Sequence, residues 1–348
     1  MKLPVISALC ASVILASNSF AQENKDITIG IAACCVVGQT QTMDTAAERW
    51  KEMAEKQGIK VIYENADEAN NPDKTAQIKQ MREMVDKGAK AILVMLVQNK
   101  SDLSKEQDEF FKYAKEKGTT VIAYNREPGK ALLGRNDNLY YVGSAARQGG
   151  MYHADMIKAL VEKNADWDKN KDGKIQYLLI QGTEGASNET ARTKGLTSTL
   201  SKDEKMKQVK AERANWNNAK AKEITAGYIS SGEIEQFELI ACNSDDMALG
   251  VLAAFKEAGK EPLPITSINA LPEVQQAIKE GEIQGSVYQN ITTQQDIAFQ
   301  LALNLINKKP AGEGLSQEHR VINNIVNVPW EIVTKDNVDK YLNKKSAE

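Results

Sequence analysis

The chain has 348 residues, in which 44 Lys and Arg oppose 47 Asp and Glu, for a net charge of −3. This length suits two domains of ordinary size. The charges are spread without long runs, so the chain offers no basic surface for nucleic acid or for an anionic membrane. His153 and His319 lie too far apart in the sequence to predict a zinc motif or a local acid–base pair.

The N-terminus has the pattern of a secretory signal peptide. Lys2 precedes an apolar stretch at 5–16, and the small residues that follow predict cleavage after Ala21, which makes residues 1–21 the signal peptide. Cys10 raises the alternative of a lipoprotein, but Leu9 stands where a small residue is expected. No later segment is long and apolar enough to span a bilayer, so we expect an exported, soluble protein of the periplasm.

Along the rest of the chain, short β-branched runs alternate with runs of helical period. Ala47, Trp50 and Met53, for example, recur at helical spacing. The predicted strands are 27–34, 60–63, 91–97, 119–124, 140–143, 176–181, 208–213, 238–242, 265–269, 320–325 and 330–333. The predicted helices are 44–56, 74–87, 103–117, 149–163, 189–201, 218–230, 246–258, 272–279 and 292–307.

The alternation of strands and helices predicts an α/β fold with doubly wound parallel sheets. The strand at 91–97 is apolar throughout, which indicates burial on both faces of a parallel sheet. A bridge at 128–138, rich in Pro, Gly and Asn, precedes a second lobe of the same type. Because ligands of open α/β sheets bind outside the carboxyl ends of the strands, two such lobes suggest a ligand clamped between them.

Four motifs of common enzyme classes are absent from the sequence. No GxGxxG or GxxxxGK[ST] loop follows a strand, and neither GxSxG nor HExxH occurs. We therefore predict no catalytic residue and expect a protein that is not an enzyme.

Three cysteines remain after the signal peptide, namely Cys34, Cys35 and Cys242. An odd number in an oxidising compartment argues against a disulfide framework. We interpret them as buried thiols, with a vicinal disulfide between Cys34 and Cys35 as the alternative.

Residues 168–176 match the first nine positions of an EF-hand calcium loop. The liganding positions carry Asp168, Asn170, Asp172, Lys174 (through its backbone carbonyl) and Gln176. Calcium takes about six to eight oxygen ligands, and this alternate spacing turns them toward one point. Position twelve is Leu179, so a carboxylate from elsewhere must complete the shell. The sequence predicts a structural calcium ion, and a polar surface turn is the alternative.

A calcium loop that leads into a strand, in an exported two-lobed α/β chain, resembles the periplasmic galactose/glucose-binding proteins of bacterial ABC transporters. The resemblance runs from about residue 27 to about residue 340. The segments that carry it are YNREP at 124–128, YYVG at 140–143, WDKNKDGKIQ at 167–176, ALPE at 270–273 and KDN at 335–337. The calcium segment is the most specific of them.

This resemblance implies a type I periplasmic binding protein fold, in which three crossings join the two lobes. The crossings fall near 142–143, 289–290 and 326–329, which gives an N-terminal lobe of 22–143 plus 290–326 and a C-terminal lobe of 144–289 plus 327–348. It also implies that the last calcium ligand is a Glu at the start of a later strand, and Glu238 matches that position.

The resemblance further implies a cleft in which aromatic rings and polar side chains hold a pyranose. Asn125, Arg192 and Trp216 match the family, and a flat indole with fixed hydrogen-bond donors suits a sugar. Four further cleft positions differ from the family. Asn188 and Asn269 stand in place of Asp, and Ser244 and Gln289 stand in place of Asn. Asp245 is an additional candidate contact.

Two other positions also depart from the family. Ala186 stands in place of a His, and one stacking ring is lost near Thr40. Hydrogen bonds to charged groups contribute about 1.5–3 kcal/mol, against about 1 kcal/mol for neutral ones, so the loss of carboxylates weakens the site for its usual sugars. We expect weaker binding of galactose or glucose, or a different ligand such as another monosaccharide, a furanose or a sugar derivative.

The sequence thus predicts a substrate-binding protein that closes around a sugar and delivers it to an ABC permease. A sensor that presents its closed form to a chemoreceptor or a histidine kinase is the alternative, and a periplasmic sugar-active enzyme is a third possibility. We expect a monomer with no nucleic-acid partner.

Overall fold

A computed structural model describes residues 26–34, 41–68, 71–97 and 104–342 of the chain. These residues form two separate six-stranded sheets flanked by helices. No helix in these four stretches has the length and apolar character needed to cross a bilayer. The predicted signal peptide, residues 1–21, lies outside the described residues.

The first sheet is parallel throughout and has the strand order β13-β7-β6-β5-β1-β2. Its strands in chain order are β1 (Thr28–Ala33), β2 (Lys60–Asn65), β5 (Ala91–Val94), β6 (Thr120–Tyr124), β7 (Leu139–Gly143) and β13 (Ile325–Asn327). Two short strands, β3 (Asp67–Glu68) and β4 (Asn71–Pro72), form a separate antiparallel ribbon.

The second sheet has the order β14-β12-β11-β10-β8-β9 and is parallel except for its edge pair. Its strands are β8 (Ile175–Gln181), β9 (Met206–Arg213), β10 (Leu239–Cys242), β11 (Ile265–Asn269), β12 (Gly285–Gln289) and β14 (Trp330–Thr334). The edge strand β14 runs antiparallel to β12, which the sequence did not predict.

Helices cover both sheets. Those packed with the first sheet are α1 (Gln41–Glu55), α2 (Lys74–Asp86), α3 (Ser104–Glu116), α4 (Lys130–Arg135) and α10 (Ile291–Ile306). Those of the second sheet are α5 (Ala146–Lys163), α6 (Ser187–Leu200), α7 (Asn218–Ser231), α8 (Asp245–Glu257), α9 (Pro272–Glu280) and the short C-terminal α11 (Asp339–Leu342).

Strand β5 shows why the central strands are apolar throughout. Its side chains alternate between the two faces of the sheet, as in any strand. Leu93 packs into a cluster with Trp50 of α1 and Phe299 of α10. Val94 packs on the other face into a cluster that contains Phe110 of α3. Both faces of the strand are therefore buried, as expected for a parallel sheet between two layers of helices.

The chain passes between the two sheets three times. It leaves the first sheet after β7, returns to it after β12 to form α10, and leaves it again between β13 and β14. Hydrogen bonds join neighbouring crossings: Gln294 Nε2 donates to Ser144 Oγ at 2.9 Å, and the Val328 amide donates to the Gly143 carbonyl at 2.8 Å. We propose these crossings as the boundaries of two discontinuous lobes.

The predicted fold class, two doubly wound α/β lobes, is confirmed. The predicted strand at 320–325 is wrong, because Asn323 and Asn324 adopt left-handed φ angles of 50° and 61° and turn the chain before β13 begins. Strand β12 was not predicted from the sequence. The segment at 128–138, interpreted as a bridge between lobes, contains α4 and leads into β7 of the first sheet.

Helices α5 and α6 approach closely at Gly195, and this contact generates a prediction. A Cβ atom on Gly195 would lie 2.2 Å from the backbone carbonyl oxygen of Arg147. Since backbone cannot move aside cheaply, we expect Gly195→Ala to lower the free energy of unfolding by about 1–3 kcal/mol, measured by urea denaturation followed by circular dichroism.

Gly227 provides the matched control, because it lies within α7 and an added Cβ would meet nothing within 4 Å. Gly227→Ala should leave stability unchanged or raise it by up to about 1 kcal/mol through helix propensity. Equal effects of the two substitutions would contradict the close helix contact.

Candidate functional site

The carboxyl ends of the strands in both sheets carry polar side chains. Asn125 follows β6 of the first sheet, and Ser244 follows β10 of the second. Asn269 and Gln289 are the last residues of β11 and β12. A hydrogen bond joins the two lobes beside this edge, from Ser187 Oγ to the Glu127 carbonyl at 3.4 Å. The predicted ligand residues therefore lie where open α/β sheets bind their ligands.

Arg192 of α6 reaches across three strand ends of the second sheet. Its Nη1 donates to the Asn243 carbonyl at 2.8 Å, just beyond β10. Its Nη2 donates to Asn269 Oδ1 at 3.2 Å and to Gln289 Oε1 at 3.0 Å. The side chain is 3% exposed. The structure thus brings Arg192, Asn269 and Gln289 into one hydrogen-bonded group, although the Asn243 carbonyl was not predicted.

Two indole rings flank the Arg192 guanidinium. Its Cζ lies 5.8 Å from the ring centroid of Trp216 and 5.4 Å from that of Trp330. Trp216 was predicted, whereas Trp330, which lies in the edge strand β14, was not. Both rings are almost fully buried, and Trp216 belongs to the apolar core of the second lobe. The site therefore has aromatic faces on two sides of a fixed cation.

The local backbone turns sharply at Trp216. Asn215 and Trp216 both have positive φ angles, 54° and 64°. The indole lies against Gly182, where a Cβ atom would come within 2.2 Å of the ring. Glycine at this position therefore allows the ring to pack directly on the backbone that follows β8.

Several buried polar atoms of this region have no partner in the described part of the protein. They are Arg192 Nε, Trp216 Nε1, Asn243 Oδ1 and Ser244 Oγ. Buried polar groups are normally hydrogen-bonded, because leaving them unsatisfied costs about 1–3 kcal/mol each. Four such atoms at one strand edge indicate a site for a polar ligand with several donors and acceptors.

Asp245, the additional candidate contact, is fully buried and bonded within its own lobe. Its Oδ1 accepts hydrogen bonds from Ser267 Oγ at 2.5 Å and Ser286 Oγ at 2.7 Å, and its Oδ2 accepts from the Leu271 amide. Burial raises the pKa of Asp245 to about 6, partly offset by these hydrogen bonds. The carboxyl group connects the start of α8 to β11, to β12 and to the loop after β11, and its contact with ligand stays a prediction.

Asp246 also retains its proton more readily than an exposed aspartate. Burial raises its pKa to about 7, with further contributions from the charges of Asp245 and Glu273. Its Oδ2 has no hydrogen-bond partner within the described residues. The N-terminal turn of α8 therefore holds two neighbouring carboxyl groups of raised pKa.

In the first lobe, hydrogen bonds of its backbone fix the position of Asn125. It has a φ of 61°, its amide donates to the Val142 carbonyl at 3.0 Å, and its carbonyl accepts from Tyr141 Oη at 3.0 Å. Its neighbour Arg126 is buried, and Nη1 of that arginine lies 3.3 Å from the Leu96 carbonyl. Sequence reasoning missed Arg126, although its place next to Asn125 at a strand end was the signal available.

Asn188 stands apart from the Arg192 group. Its Oδ1 accepts a hydrogen bond from the adjacent Glu189 amide at 3.0 Å, in the first turn of α6. Its predicted contact with the ligand stays a prediction.

The loop after β1 is only partly described. Cys34 is fully buried, and its thiol lies 3.0 Å from the Met95 carbonyl. Cys35 and Thr40 lie outside the described residues, so both the predicted vicinal disulfide and the lost stacking ring stay untested predictions. Cys242 is a buried thiol, as predicted.

The predicted calcium loop is closed by its own side chains. Asp168 Oδ2 accepts from the Gly173 amide at 2.9 Å, and Asn170 Oδ1 accepts from the Asp172 amide at 2.8 Å. Asp172 Oδ1 in turn accepts from the amide of Lys174 at 2.9 Å. The side chains of the loop therefore accept hydrogen bonds from its own backbone amides, and the calcium ion stays a prediction.

Glu238, which directly precedes β10, is hydrogen-bonded to this loop. Its Oε1 accepts from the Lys169 amide at 2.7 Å, and its Oε2 accepts from the Gln176 amide at 3.1 Å. Gln176 Nε2 donates to Asp172 Oδ2 at 2.7 Å. Within the described residues, no three His, Cys, Asp or Glu side chains form a group that could hold a metal. A cation here would depend on amide and carbonyl oxygens as well as carboxylates, a donor set that fits calcium.

A cavity of about 540 Å³ lies elsewhere in the second lobe. Its lining includes Trp167, Ile278 and Ile332, near the amino end of β12. None of the predicted sugar contacts lines this cavity. The strand edge around Arg192 remains the candidate site.

Comparisons with known proteins show the family and the fold of the chain. Residues 32–310 match a family profile described as a periplasmic binding protein domain. The chain is 31% identical over 344 residues to the D-galactose/methyl-galactoside binding periplasmic protein of Haemophilus influenzae, covering 98% of this chain and 99% of that protein. It is 28% identical over 286 residues to the xylitol-binding protein of Mycolicibacterium smegmatis, covering 82% and 72% respectively.

A solved structure shows the same fold. The solute-binding protein of an ABC transporter from Actinobacillus succinogenes, solved with bound D-allose, superposes with a TM-score of 0.72 at 20% identity. The alignment covers 91% of this chain and all of that one.

The two buried carboxyl groups of α8 predict a pH dependence of stability. In the folded protein Asp245 and Asp246 hold their protons up to about pH 6 and about pH 7, whereas in the unfolded chain they release them near pH 4. The folded state therefore binds more protons, and the contribution of these groups to the free energy of unfolding falls as the pH rises from about 4 to about 7.

We expect Asp245→Asn to reduce the slope of this decline between about pH 4 and pH 6, and Asp246→Asn to reduce it over the whole range from about pH 4 to pH 7. Urea denaturation at a series of pH values measures both. Variants whose pH profiles run parallel to that of the wild type would contradict the raised pKa of these groups.

Proposed function

Because the chain belongs to the periplasmic binding protein family, we propose that it captures a monosaccharide between its two lobes and delivers it to an ABC permease. The family implies a periplasmic, sugar-binding component of ABC transport, and the similar proteins are transport proteins rather than enzymes. The observation that carries the proposal is the group of unpartnered buried polar atoms at the strand edge around Arg192. Sugar hydroxyls both donate and accept hydrogen bonds, so they complement such a mixed set.

Closure of the two lobes completes this site. Asn125 and Arg126 lie on the first lobe, while Arg192 and Trp216 lie on the second. A ligand that contacts both walls stabilises the closed arrangement by its differential affinity for it. The three crossings beside Gly143, Asn290 and Val328 provide the hinge for this motion.

The sugar is galactose-like or glucose-like in size, with specificity altered by the cleft residues. The Haemophilus influenzae relative is named for D-galactose and methyl-galactoside. In this chain the groups that contact Arg192 are two amides and a backbone carbonyl. A site with these neutral acceptors selects by a different pattern of hydrogen bonds from one lined with carboxylates.

We also propose that the loop 168–176, with Glu238, binds a structural calcium ion. The support is that Gln176 is hydrogen-bonded to both Asn170 and Asp172, and that Asp168 accepts from the Gly173 amide of the same loop. Glu238 is attached to this loop through three backbone amides. When bound, calcium would neutralise the carboxylates and hold the start of β8. The loop contains none of the residues around Arg192, so the ion has no direct part in ligand binding.

The ligand proposal predicts a thermal shift with sugars. At a concentration of about 100 times its dissociation constant, a ligand adds about 2.7 kcal/mol to the free energy of unfolding, which raises the melting temperature by some degrees. A panel of monosaccharides, with glucose and galactose among them, should contain at least one such ligand. A panel of sugars and sugar acids in which no compound shifts the melting temperature would contradict the proposal.

Trp216 provides a matched pair of variants for this assay. Trp216→Leu removes an indole beside Arg192, and we expect it to abolish most of the sugar-induced shift. Trp167→Leu makes the same change away from the strand edge and should keep the full shift. Circular dichroism of the unliganded variants checks that each is folded. A full ligand shift in Trp216→Leu would exclude the indole from the site.

The calcium proposal predicts that EGTA lowers the melting temperature without abolishing sugar binding. In Glu238→Gln, the difference between calcium and EGTA should shrink or vanish, because a carboxylate oxygen of the shell is lost. Identical melting temperatures of the wild type in metal-stripped buffer and in calcium would refute the site.

A further inference from the structure

Arg192 is a buried cation without a carboxylate in contact. Its three hydrogen-bond acceptors are the Asn243 carbonyl and the side-chain amides of Asn269 and Gln289, all of them neutral. In the described part of the chain, no Asp or Glu lies within ion-pair distance of this guanidinium. Its Nε has no hydrogen-bond partner among the residues that the structure describes.

Asp245, whose charge acts on Arg192, is hydrogen-bonded to other groups. Both oxygens of Asp245 accept hydrogen bonds from hydroxyl and amide donors of its own lobe. In the first lobe, burial raises the pKa of Glu127, and the charge of Lys130 partly offsets this rise. Burial lowers the pKa of Arg192 to about 10, against a weaker opposing effect of the Asp245 charge. The guanidinium is charged at neutral pH, but the protein only partly compensates that charge.

A buried charge is costly unless it is paired and hydrogen-bonded. Arginine presents a fork of donors that matches a carboxylate, and charge-assisted hydrogen bonds are roughly twice as strong as neutral ones. An anionic group on the ligand would supply an acceptor for Nε and a negative charge in direct contact with the guanidinium.

We propose, on the basis of the sugar-binding function above, that the ligand is a sugar acid whose carboxylate binds Arg192. The hydroxyl groups of such a ligand would bind the amides of Asn269 and Gln289, which can both donate and accept, and the Ser244 hydroxyl. Trp216 would cover a face of the sugar ring. The ligand class is therefore a uronate or an aldonate rather than a neutral hexose.

Matched pairs of sugars test this assignment directly. Isothermal titration calorimetry compares D-galactose with D-galacturonate and D-glucose with D-glucuronate on the wild-type protein in calcium. We expect the acid of at least one pair to bind with a dissociation constant at least tenfold lower than that of its neutral partner. Tighter or equal binding of the neutral sugars would overturn the sugar-acid assignment while leaving the sugar-binding function intact. Absence of binding by all four sugars and by a wider panel of both classes would contradict both proposals.

The variant Asn269→Asp tests whether Arg192 binds the carboxylate of the ligand. This nearly isosteric change places an acidic group 3.2 Å from Nη2, where it would pair with the guanidinium within the protein. We expect the preference for the acid to fall at least tenfold, while the fold is retained. Gln208→Glu adds the same charge on the outer strand β9 and should leave the preference unchanged. An undiminished preference for the acid in Asn269→Asp would overturn the role of Arg192.

Discussion

A guanidinium is buried at the carboxyl end of the second sheet and is held there by neutral oxygens, and the arrangement of the cleft follows from these contacts. Arg192 joins the ends of β10, β11 and β12 through one carbonyl and two amides. The Cζ atom of the same side chain lies 5.8 Å and 5.4 Å from the ring centroids of Trp216 and Trp330. One side chain thus fixes the polarity, the shape and the unsatisfied donors of the candidate site.

Most of the fold could be predicted from the sequence, because the central strands are buried on both faces and must be apolar. Strand β5 is the clearest case, since its alternate side chains enter two different core clusters. Strand β12 escaped prediction because Gly285 and Ser286 interrupt its apolar pattern. At residues 320–325 a strand was predicted, whereas β13 begins only at Ile325. The Val and Ile of this segment suit a strand, but Asn323 and Asn324 turn the backbone.

The site was less accessible to sequence reasoning than the fold. Arg192, Asn269 and Gln289 could be named through a family resemblance, but their mutual hydrogen bonds depend on strand positions that no spacing reveals. The Asn243 carbonyl has no signal in the sequence, since every residue carries one. Trp330 lies in the antiparallel edge strand of the second sheet, and its approach to Arg192 depends on the last crossing of the chain.

The order of the strands also constrains how the molecule can assemble. Strand β13 is an edge strand of the first sheet, and β14 is an edge strand of the second. Both lie within residues 325–334. Although the lobes are separate in space, neither sheet is complete until this one short stretch is in place. A partly synthesised chain would expose open edges on both sheets at once, which favours pairing with other chains. Completion of the two lobes is therefore nearly simultaneous, and a lesion in this stretch would damage both halves of the protein together.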